Sequence, residues 1–257
     1  MFDKKWLFFL FYIISSYLHA EELTDAFLKK YPLTYQDICI QNQIIASGTD
    51  ICDERLHLIR PVLDQYKRPV AVLDIGAAQG YFAFNIAYNY PDSCCVMIDT
   101  NTDYYPNHGD MLLELCQLNK GLRNIYYLNK KLTLEDFSFL NSQEHFDLVL
   151  AFLVIHQIED SLNKQIKLTQ ELLKLGDNVI IEVANDVNIP LASYIEYLSS
   201  KFDCTDLGEV RRHKDPNCPC SGRLFWFKTK EIDHSEKRNY KIKNSTFLNM
   251  NGLYPKG

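Results

Sequence analysis

The sequence has few of the features that mark repetitive, metal-clustered or membrane-embedded proteins. It contains no internal repeat and no low-complexity tract, which excludes solenoid and array architectures. Its eight cysteines include no Cys-x-x-Cys pair, the spacing typical of structural zinc sites. Its main apolar run, residues 6–18, covers 13 positions, whereas a transmembrane helix needs about 20. The whole chain has 257 residues, of which 47% are hydrophobic and 23% charged. This size and composition fit one globular domain.

Positive charge is scarce over most of the chain. The net charge is −6, and it divides into −11 for the first 200 residues and +5 for residues 201–257. An acidic body argues against broad non-specific binding to nucleic acid, and the sequence contains no clear nucleic-acid signal. The basic end either attracts an anionic partner or forms an ordinary solvated surface.

The first 20 residues have the pattern of a secretory signal peptide. Two lysines precede the apolar run, and a small residue, Ala20, precedes a polar stretch. The pattern predicts cleavage after Ala20 and an exported protein, periplasmic or secreted. One alternative is an uncleaved anchor that associates with a membrane through residues 6–18. A buried amphipathic helix fits less well, because this run is apolar on every face.

After the first 20 residues, the sequence divides into three segments with different patterns. Residues 21–66 read as a helical N-terminal segment, in which Pro61 bends or divides the second helix. Residues 67–230 read as one domain, and the polar tail 231–257 is expected to be weakly ordered. Within the domain, each short apolar run is followed by a segment with a helical or loop pattern. The apolar runs cover residues 70–76, 94–100, 124–130, 146–152 and 178–184.

This alternation predicts an α/β fold with a mostly parallel sheet and helices on both of its faces. The last part of the domain differs, because residues 202–212 and 223–229 are strand-like with no convincing helix between them. They predict a closing antiparallel hairpin.

The stretch VAVLDIGAAQGYFAFNIA, residues 70–87, places an acid and two glycines between two apolar elements. In an open parallel sheet, ligands bind beyond the carboxyl ends of the strands. Gly76 and Gly80 allow a tight turn and a close approach of a ligand. Asp74 can accept hydrogen bonds from a cationic ligand group, or it can cap the following helix. Asp99 ends the next strand, where a carboxylate can grip a ribose diol.

A dinucleotide site is disfavoured at this loop. The G-x-G-x-x-G pattern is missing, and an acid directly before the first glycine suits a pyrophosphate poorly. The loop suits a ligand with an amino group and no phosphate, as in S-adenosylmethionine.

Three stretches resemble one known family. VLDIGAAQGYF resembles the glycine-rich first motif of class I S-adenosylmethionine-dependent methyltransferases, MIDT resembles their acidic second motif, and FDLVLAFLVIHQIED resembles their fourth-strand motif. The resemblance covers roughly residues 50–230 and implies a Rossmann-like sheet of seven strands, the last one antiparallel. Ala78 departs from it, since many members have a second glycine there.

The resemblance implies S-adenosylmethionine as cofactor and assigns roles by position. The first motif would line the methionine part, Asp99 would hold the ribose hydroxyls, and residues 132–135 would flank the adenine, with Asp136 as an alternative to Glu135. Ala151 and Phe152 would line the place where the methyl group leaves. The residues so assigned are Asp74, Gly76, Ala77, Gly80, Tyr81, Phe82, Asp99, Leu132, Glu135, Ala151 and Phe152.

In methyl transfer the cofactor supplies the activated methyl group, and the protein mainly positions the acceptor and removes its proton. Candidate catalytic groups are His156, which is alternatively a structural histidine at a helix start, and Glu182, which is followed by Asn185 and Asp186. Arg55 either meets the cofactor carboxylate or forms a surface ion pair.

The acceptor is not identified by any motif. The Asn/Asp-Pro-Pro-aromatic motif of amino-group methylation on bases and the Pro-Cys nucleophile of cytosine C5 chemistry are both missing. A small molecule, a sugar, a lipid or a protein side chain fits better than a nucleic-acid base. The segment RRHKDPNCPCSGR, residues 211–223, is expected near the rim, where it could help read an anionic acceptor.

No metal is expected. A zinc site built from Cys204, His213, Cys218 and Cys220 is the alternative, but loop or disulfide cysteines fit the spacing better. Two other functions stay open beside the methyltransferase. One is a binding module that keeps the fold without catalysis, and the other is an NAD(P)-dependent oxidoreductase.

Overall fold

The computed structural model describes residues 22, 24–32, 34–100, 107–184 and 189–229. The leader 1–20 and the tail 231–257 lie outside the described residues, and so do Asn185 and Asp186, which follow the candidate Glu182. Within the described part, no helix is both long enough and apolar enough to cross a membrane.

The N-terminal segment is not wholly helical, contrary to the prediction for residues 21–66. Residues 24–30 form helix α1, and helix α2 runs from Cys52 to Leu63 with Pro61 inside its last turn. Between them a hairpin pairs strands β1 (Ile38–Ile40) and β2 (Gln43–Ala46). Its two turn residues, Gln41 and Asn42, have φ of 50° and 64°. Left-handed values at both central positions define the tight turn that joins such strands, and Asn tolerates them well.

The centre of the protein is a seven-stranded sheet of order β5-β4-β3-β6-β7-β9-β8. Of these described strands, β9 alone runs antiparallel to the others, since it pairs antiparallel with both β7 and β8. The predicted strands and the closing hairpin are therefore confirmed. The strands are β3 (Ala71–Ile75), β4 (Cys94–Asp99), β5 (Ile125–Asn129), β6 (Phe146–Phe152), β7 (Gly176–Ala184), β8 (Asp203–Arg211) and β9 (Ser221–Lys228).

Helices cover both faces of this sheet, as predicted. One face packs against α2, α3 and α4, and the other packs against α5, α7 and α8, because alternate strand residues point to opposite sides. Val72 and Leu148 thus join the first core, whereas their neighbours Leu73 and Val149 join the second. The helices of the sheet are α3 (Tyr81–Asn89), α4 (His108–Leu118), α5 (Leu134–Gln143), α6 (Ile155–Ile158), α7 (Leu162–Leu175) and α8 (Ile189–Ser199).

Candidate functional site

A small cleft opens at the carboxyl ends of the central strands. On the sheet side its lining comes from the loop after β3, the start of α3, the end of β6 and strand β7. These residues are Asp74, Gly76, Phe82, Phe152, Leu153 and Glu182. The opposite wall comes from the N-terminal segment and consists of Tyr35, Gln36, Asp50 and Arg55. The cleft lies where an open parallel sheet places its ligands.

The loop between β3 and α3 needs its glycines. Gly76 and Gly80 have φ of 72° and 74°, a region that residues with a Cβ rarely adopt. A Cβ on Gly76 would lie 2.6 Å from Val154 Cγ2, and one on Gly80 would lie 2.7 Å from Phe84 Cε2. Ala78, the departure from the family motif, also has a positive φ, 51°. The loop is thus a tight turn at the strand end, and Gly76 brings it to the cleft.

Asp74 is a buried carboxyl with an unused oxygen. Its side chain is 3% exposed, and Oδ2 has no hydrogen-bond partner among the described residues. Burial and the nearby charge of Asp99 raise its pKa to about 7, while a bond from the Ala83 backbone N–H opposes the shift. Ala83 lies in the first turn of α3, so Asp74 partly serves the helix cap that the sequence left as an alternative. Asp74 Oδ2 remains available to accept a hydrogen bond from a ligand.

Asp99 ties the end of β4 to the glycine loop. Its Oδ2 accepts a hydrogen bond from the Ala78 N–H at 2.5 Å, and its Oδ1 accepts one from the Thr100 N–H at 2.6 Å. Burial raises its pKa, and these two backbone bonds lower it. A carboxylate has about four lone-pair sites, so ribose hydroxyls can still bind beside the two backbone donors.

The remaining cofactor residues divide into two groups. Phe82 and Phe152 meet edge to face at 4.9 Å and form an apolar wall of the cleft. Ala77 and Tyr81 are buried in the first core, where the Tyr81 hydroxyl donates to Asp53.

The predicted adenine residues stand apart from the cleft. Leu132 is buried in the second core, and Glu135 is exposed at the start of α5. Ala151, which was predicted to line the place where the methyl group leaves, is also buried in the second core and is not among the described residues that line the cleft. Asp136 is engaged in a capping box with Thr133 and in an ion pair with Lys130. Adenine binding by this region stays a prediction.

Arg55 is not a surface residue. Its side chain is 1% exposed, so the surface ion pair offered by the sequence is wrong. Its Nε and Nη2 donate to Glu182 at 2.6 and 2.9 Å, and its Nη1 donates to Asp50 Oδ2 at 2.8 Å. The pairing is bidentate, the strongest geometry for these groups. With two carboxylates bound, Arg55 fixes the cleft wall, which disfavours its predicted contact with a cofactor carboxylate.

Glu182 is held from both sides. Burial raises its pKa and the Arg55 guanidinium lowers it. On strand β9, a Cβ on Gly222 would lie 2.2 Å from Glu182 Oε1, so glycine is required there. Both carboxylate oxygens receive bonds from Arg55, an arrangement that favours holding the arginine over acting as a base.

His156 lies on the short helix α6 and is half-buried, outside the described residues that line the cleft. Burial and the charge of Arg212 lower its pKa, so it is neutral at pH 7. Beyond β6 the chain turns through Leu153, whose φ is 55° and whose N–H donates to the Glu182 carbonyl at 3.2 Å. Such left-handed non-glycine residues often occur at functional sites.

Apart from Arg55, the residues of the N-terminal wall were missed by the sequence analysis. Gln36 and Gln79 exchange hydrogen bonds, since the Gln36 N–H donates to Gln79 Oε1 at 2.7 Å and Gln36 Oε1 accepts from the Gln79 N–H at 3.2 Å. Gln36 Oε1 also accepts from the Tyr81 N–H at 3.1 Å, at the start of α3. Gln79 stands inside the quoted glycine loop, but no local signal indicates its distant partner.

The basic segment 211–223 packs against the same wall. Lys214 Nζ donates to Asp37 at 2.5 Å and to Ser47 at 2.6 Å, and its N–H donates to the Thr49 carbonyl at 2.9 Å. Cys218 and Cys220 form a disulfide, so neither is free to bind zinc. Among the residues that the structure describes, no cluster of His, Cys, Asp and Glu could hold a metal ion.

Four features of the described residues define the class of fold. They are the sheet order, the antiparallel strand β9, the glycine loop after the first parallel strand and the carboxylate at the end of the second. The protein has the fold of class I S-adenosylmethionine-dependent methyltransferases.

Comparison with solved structures agrees on the fold. The structure of WbdD, a protein named as a bifunctional kinase-methyltransferase, is similar with a TM-score of 0.61 and 19% identity. The alignment covers 81% of this chain and 47% of WbdD, so the chain spans about half the length of that protein. The N-terminal domain of EvdMO1, solved with SAH and D-fucose, has a TM-score of 0.56 and 12% identity over 81% of this chain and 96% of that domain. No protein-family model and no curated protein sequence matches the chain.

Proposed function

We propose that the protein is a methyltransferase that uses S-adenosylmethionine. The observation that carries this proposal is the open, buried oxygen of Asp74 at the end of the first parallel strand. A buried carboxylate without a donor is costly, by about 1–3 kcal/mol, unless a ligand supplies one. The cofactor's ammonium group is such a donor, and its charge would return Asp74 to the ionised state.

Residues that line the cleft, and Asp99 beside the glycine loop, fit the other parts of this cofactor. Asp99 would accept from the ribose hydroxyls, and the glycine loop would let the ligand approach the backbone. Phe82 and Phe152 would exclude water from the apolar side of the cleft. When bound, the cofactor supplies an activated methyl group on a sulfonium centre.

The solved relatives support the general class of activity. One of them carries SAH and D-fucose, and another is named as a kinase-methyltransferase. At 12–19% identity this likeness extends to the fold. The proposal that this chain transfers methyl groups therefore rests on its own residues, above all on Asp74.

Calorimetric titration of the full-length protein with S-adenosylmethionine and with SAH tests the proposal. We expect micromolar binding that is lost or strongly weakened in Asp74→Asn and in Asp99→Ala. Asp92→Asn is the matched control, because Asp92 lies exposed in the turn before β4. Failure of a folded protein to bind either compound would sink the proposal. Binding without turnover on any acceptor would favour the inactive module, and binding of NAD(P) instead would favour the oxidoreductase.

Export stays a separate proposal, since the leader lies outside the described residues. Mass determination of the protein recovered from cells tests it. A mature chain that begins at Glu21 supports cleavage, and an intact Met1 favours the anchor.

A further inference from the structure

The cleft contains a second carboxylate with an unused oxygen. Asp50 is 2% exposed and lines the same cleft as Asp74. Its Oδ2 accepts the bond from Arg55, whereas its Oδ1 has no partner within the described part of the chain. A buried, unpartnered carboxylate oxygen in a cleft points to a ligand that donates a hydrogen bond there.

Asp50 is held firmly in this position. Its backbone N–H donates to the Tyr35 carbonyl at 2.8 Å, and it forms a β-bridge with His213. Arg55 fixes the orientation of its carboxylate, and Glu182 in turn fixes Arg55. The open oxygen is therefore oriented before any ligand arrives, which lowers the entropy cost of binding.

The two open oxygens serve different donors. Asp74 belongs to strand β3 on the sheet side of the cleft, whereas Asp50 belongs to the N-terminal wall on the opposite side. The cofactor carries one ammonium group, and the strand-end position of Asp74 assigns it there. Asp50, on the opposite wall, is left for the second substrate.

The charges around Asp50 define what that substrate can be. Burial raises the pKa of Asp50 and that of Glu182, and the cations Arg55 and Arg212 oppose both shifts. Arg55 binds both carboxylates directly and Arg212 is a second cation near them, so the charges of Asp50 and Glu182 are balanced. The third carboxylate of the cleft, Asp74, is assigned to the cofactor ammonium group. Such a site offers neither a cation nor an anion a net attraction, and it favours a neutral donor.

We propose that Asp50 Oδ1 binds the methyl acceptor, and that the acceptor presents a neutral hydroxyl group to it. This inference rests on the proposed methyltransferase function and narrows its substrate class to alcohols, among which sugars and polyols are included. Asp50 orients the hydroxyl across the cleft from the wall formed by Phe152 and Leu153.

The test follows the carboxyl carbons of the full-length protein labelled with ¹³C-aspartate by NMR. SAH is added first, and its binding should move the Asp74 signal and leave that of Asp50 nearly unchanged. Ethylene glycol, ethanolamine and glycolate are then titrated separately. All three carry a hydroxyl and are small enough for the cleft, but they are neutral, cationic and anionic. We expect ethylene glycol to move the Asp50 signal saturably, with the charged probes at least about tenfold weaker.

Two variants assign the signal. Asp50→Glu and Asp50→Asn both remove the labelled signal, which assigns it to Asp50. Calorimetric titration of Asp50→Asn should show that ethylene glycol no longer binds. Asp37→Asn is the matched control, because the Asp37 carboxylate is already bonded to Gly48 and Lys214 in the same wall. If Asp50→Asn does not fold, the titration of the wild-type protein still decides.

The inference is overturned if SAH itself moves the Asp50 signal, since Asp50 would then belong to the cofactor. It is also overturned if no probe moves that signal, or if a charged probe binds as tightly as ethylene glycol. Failure of SAH to bind is a failure of the proposed function instead, and the probes can then be titrated into the SAH-free protein.

Discussion

Arg55 in helix α2 and Glu182 in strand β7, 127 residues apart, form a buried bidentate ion pair with N–O distances of 2.6 and 2.9 Å. The pair joins the N-terminal wall of the cleft to the middle of the sheet. Arg55 also binds Asp50, so one guanidinium orients two carboxylates.

Removing Arg55 should therefore destabilise the protein strongly. Arg55→Ala leaves two buried carboxylates without their cation, and such losses cost about 3–5 kcal/mol. Denaturant titration of the free energy of unfolding measures the effect. Arg60→Ala, at an exposed position of the same helix, should change it by less than about 0.5 kcal/mol. Equal effects of the two substitutions would contradict the structural role of the pair.

Gly76→Ala and Gly80→Ala should each destabilise the glycine loop by about 1–3 kcal/mol. Both positions have left-handed φ, and each added Cβ would approach a side-chain carbon within 2.7 Å. Thermal unfolding and SAH affinity should fall together, because the loop borders the cleft. Gly121→Ala is the control, since no described atom would lie within 4 Å of the added methyl group. A neutral result at Gly76 and Gly80 would argue against the strained turn.

Asp74 should make both cofactor affinity and stability depend on pH. Its pKa is raised to about 7, so below pH 7 the carboxyl is protonated and cannot pair with an ammonium group. Affinity for S-adenosylmethionine, measured by calorimetry across this range, should thus fall by about tenfold per pH unit below 7, as one proton is linked to binding.

The same shift has the opposite consequence for the ligand-free protein. A carboxyl whose folded pKa is raised stabilises the fold below its unfolded pKa, near 4, and loses that contribution as pH rises towards 7. Between pH 4 and 7 the free energy of unfolding of the wild-type protein should therefore fall relative to that of Asp74→Asn. Parallel curves would show that Asp74 is not perturbed.

Gln36 should couple the N-terminal wall to the glycine loop. Gln36→Ala leaves the Gln79 and Tyr81 N–H groups without their acceptor, which costs about 1–3 kcal/mol. It should also weaken SAH binding, since both groups border the loop. Gln43→Ala, at an exposed position of the hairpin, is the control for calorimetry and unfolding. Unchanged SAH affinity in Gln36→Ala would show that the wall does not support the loop.

Local patterns in the sequence determined the sheet, the order of strands and helices along the chain, and the closing hairpin. Apolar runs such as residues 146–152 are long enough and bounded clearly enough to specify strands, and β6 occupies that range. The glycine loop could also be located, because a turn with φ near +70° admits few other residues. The hairpin at Gln41 and Asn42 was missed because its strands are only 3 and 4 residues long.

The cleft itself was decided by tertiary structure. Asp74 and Asp99 could be placed from the sequence, since both end parallel strands that meet at one edge of the sheet. The pairing of Arg55 with Glu182 could not, because it joins residues 127 positions apart and depends on how α2 packs against β7. The role of Asp50 could not be predicted either, because its burial and its bond to Arg55 both depend on how the N-terminal segment packs. Sequence periodicity fixes which residues are buried in each element, whereas the partner of a buried charge is set by the packing of elements that are distant along the chain.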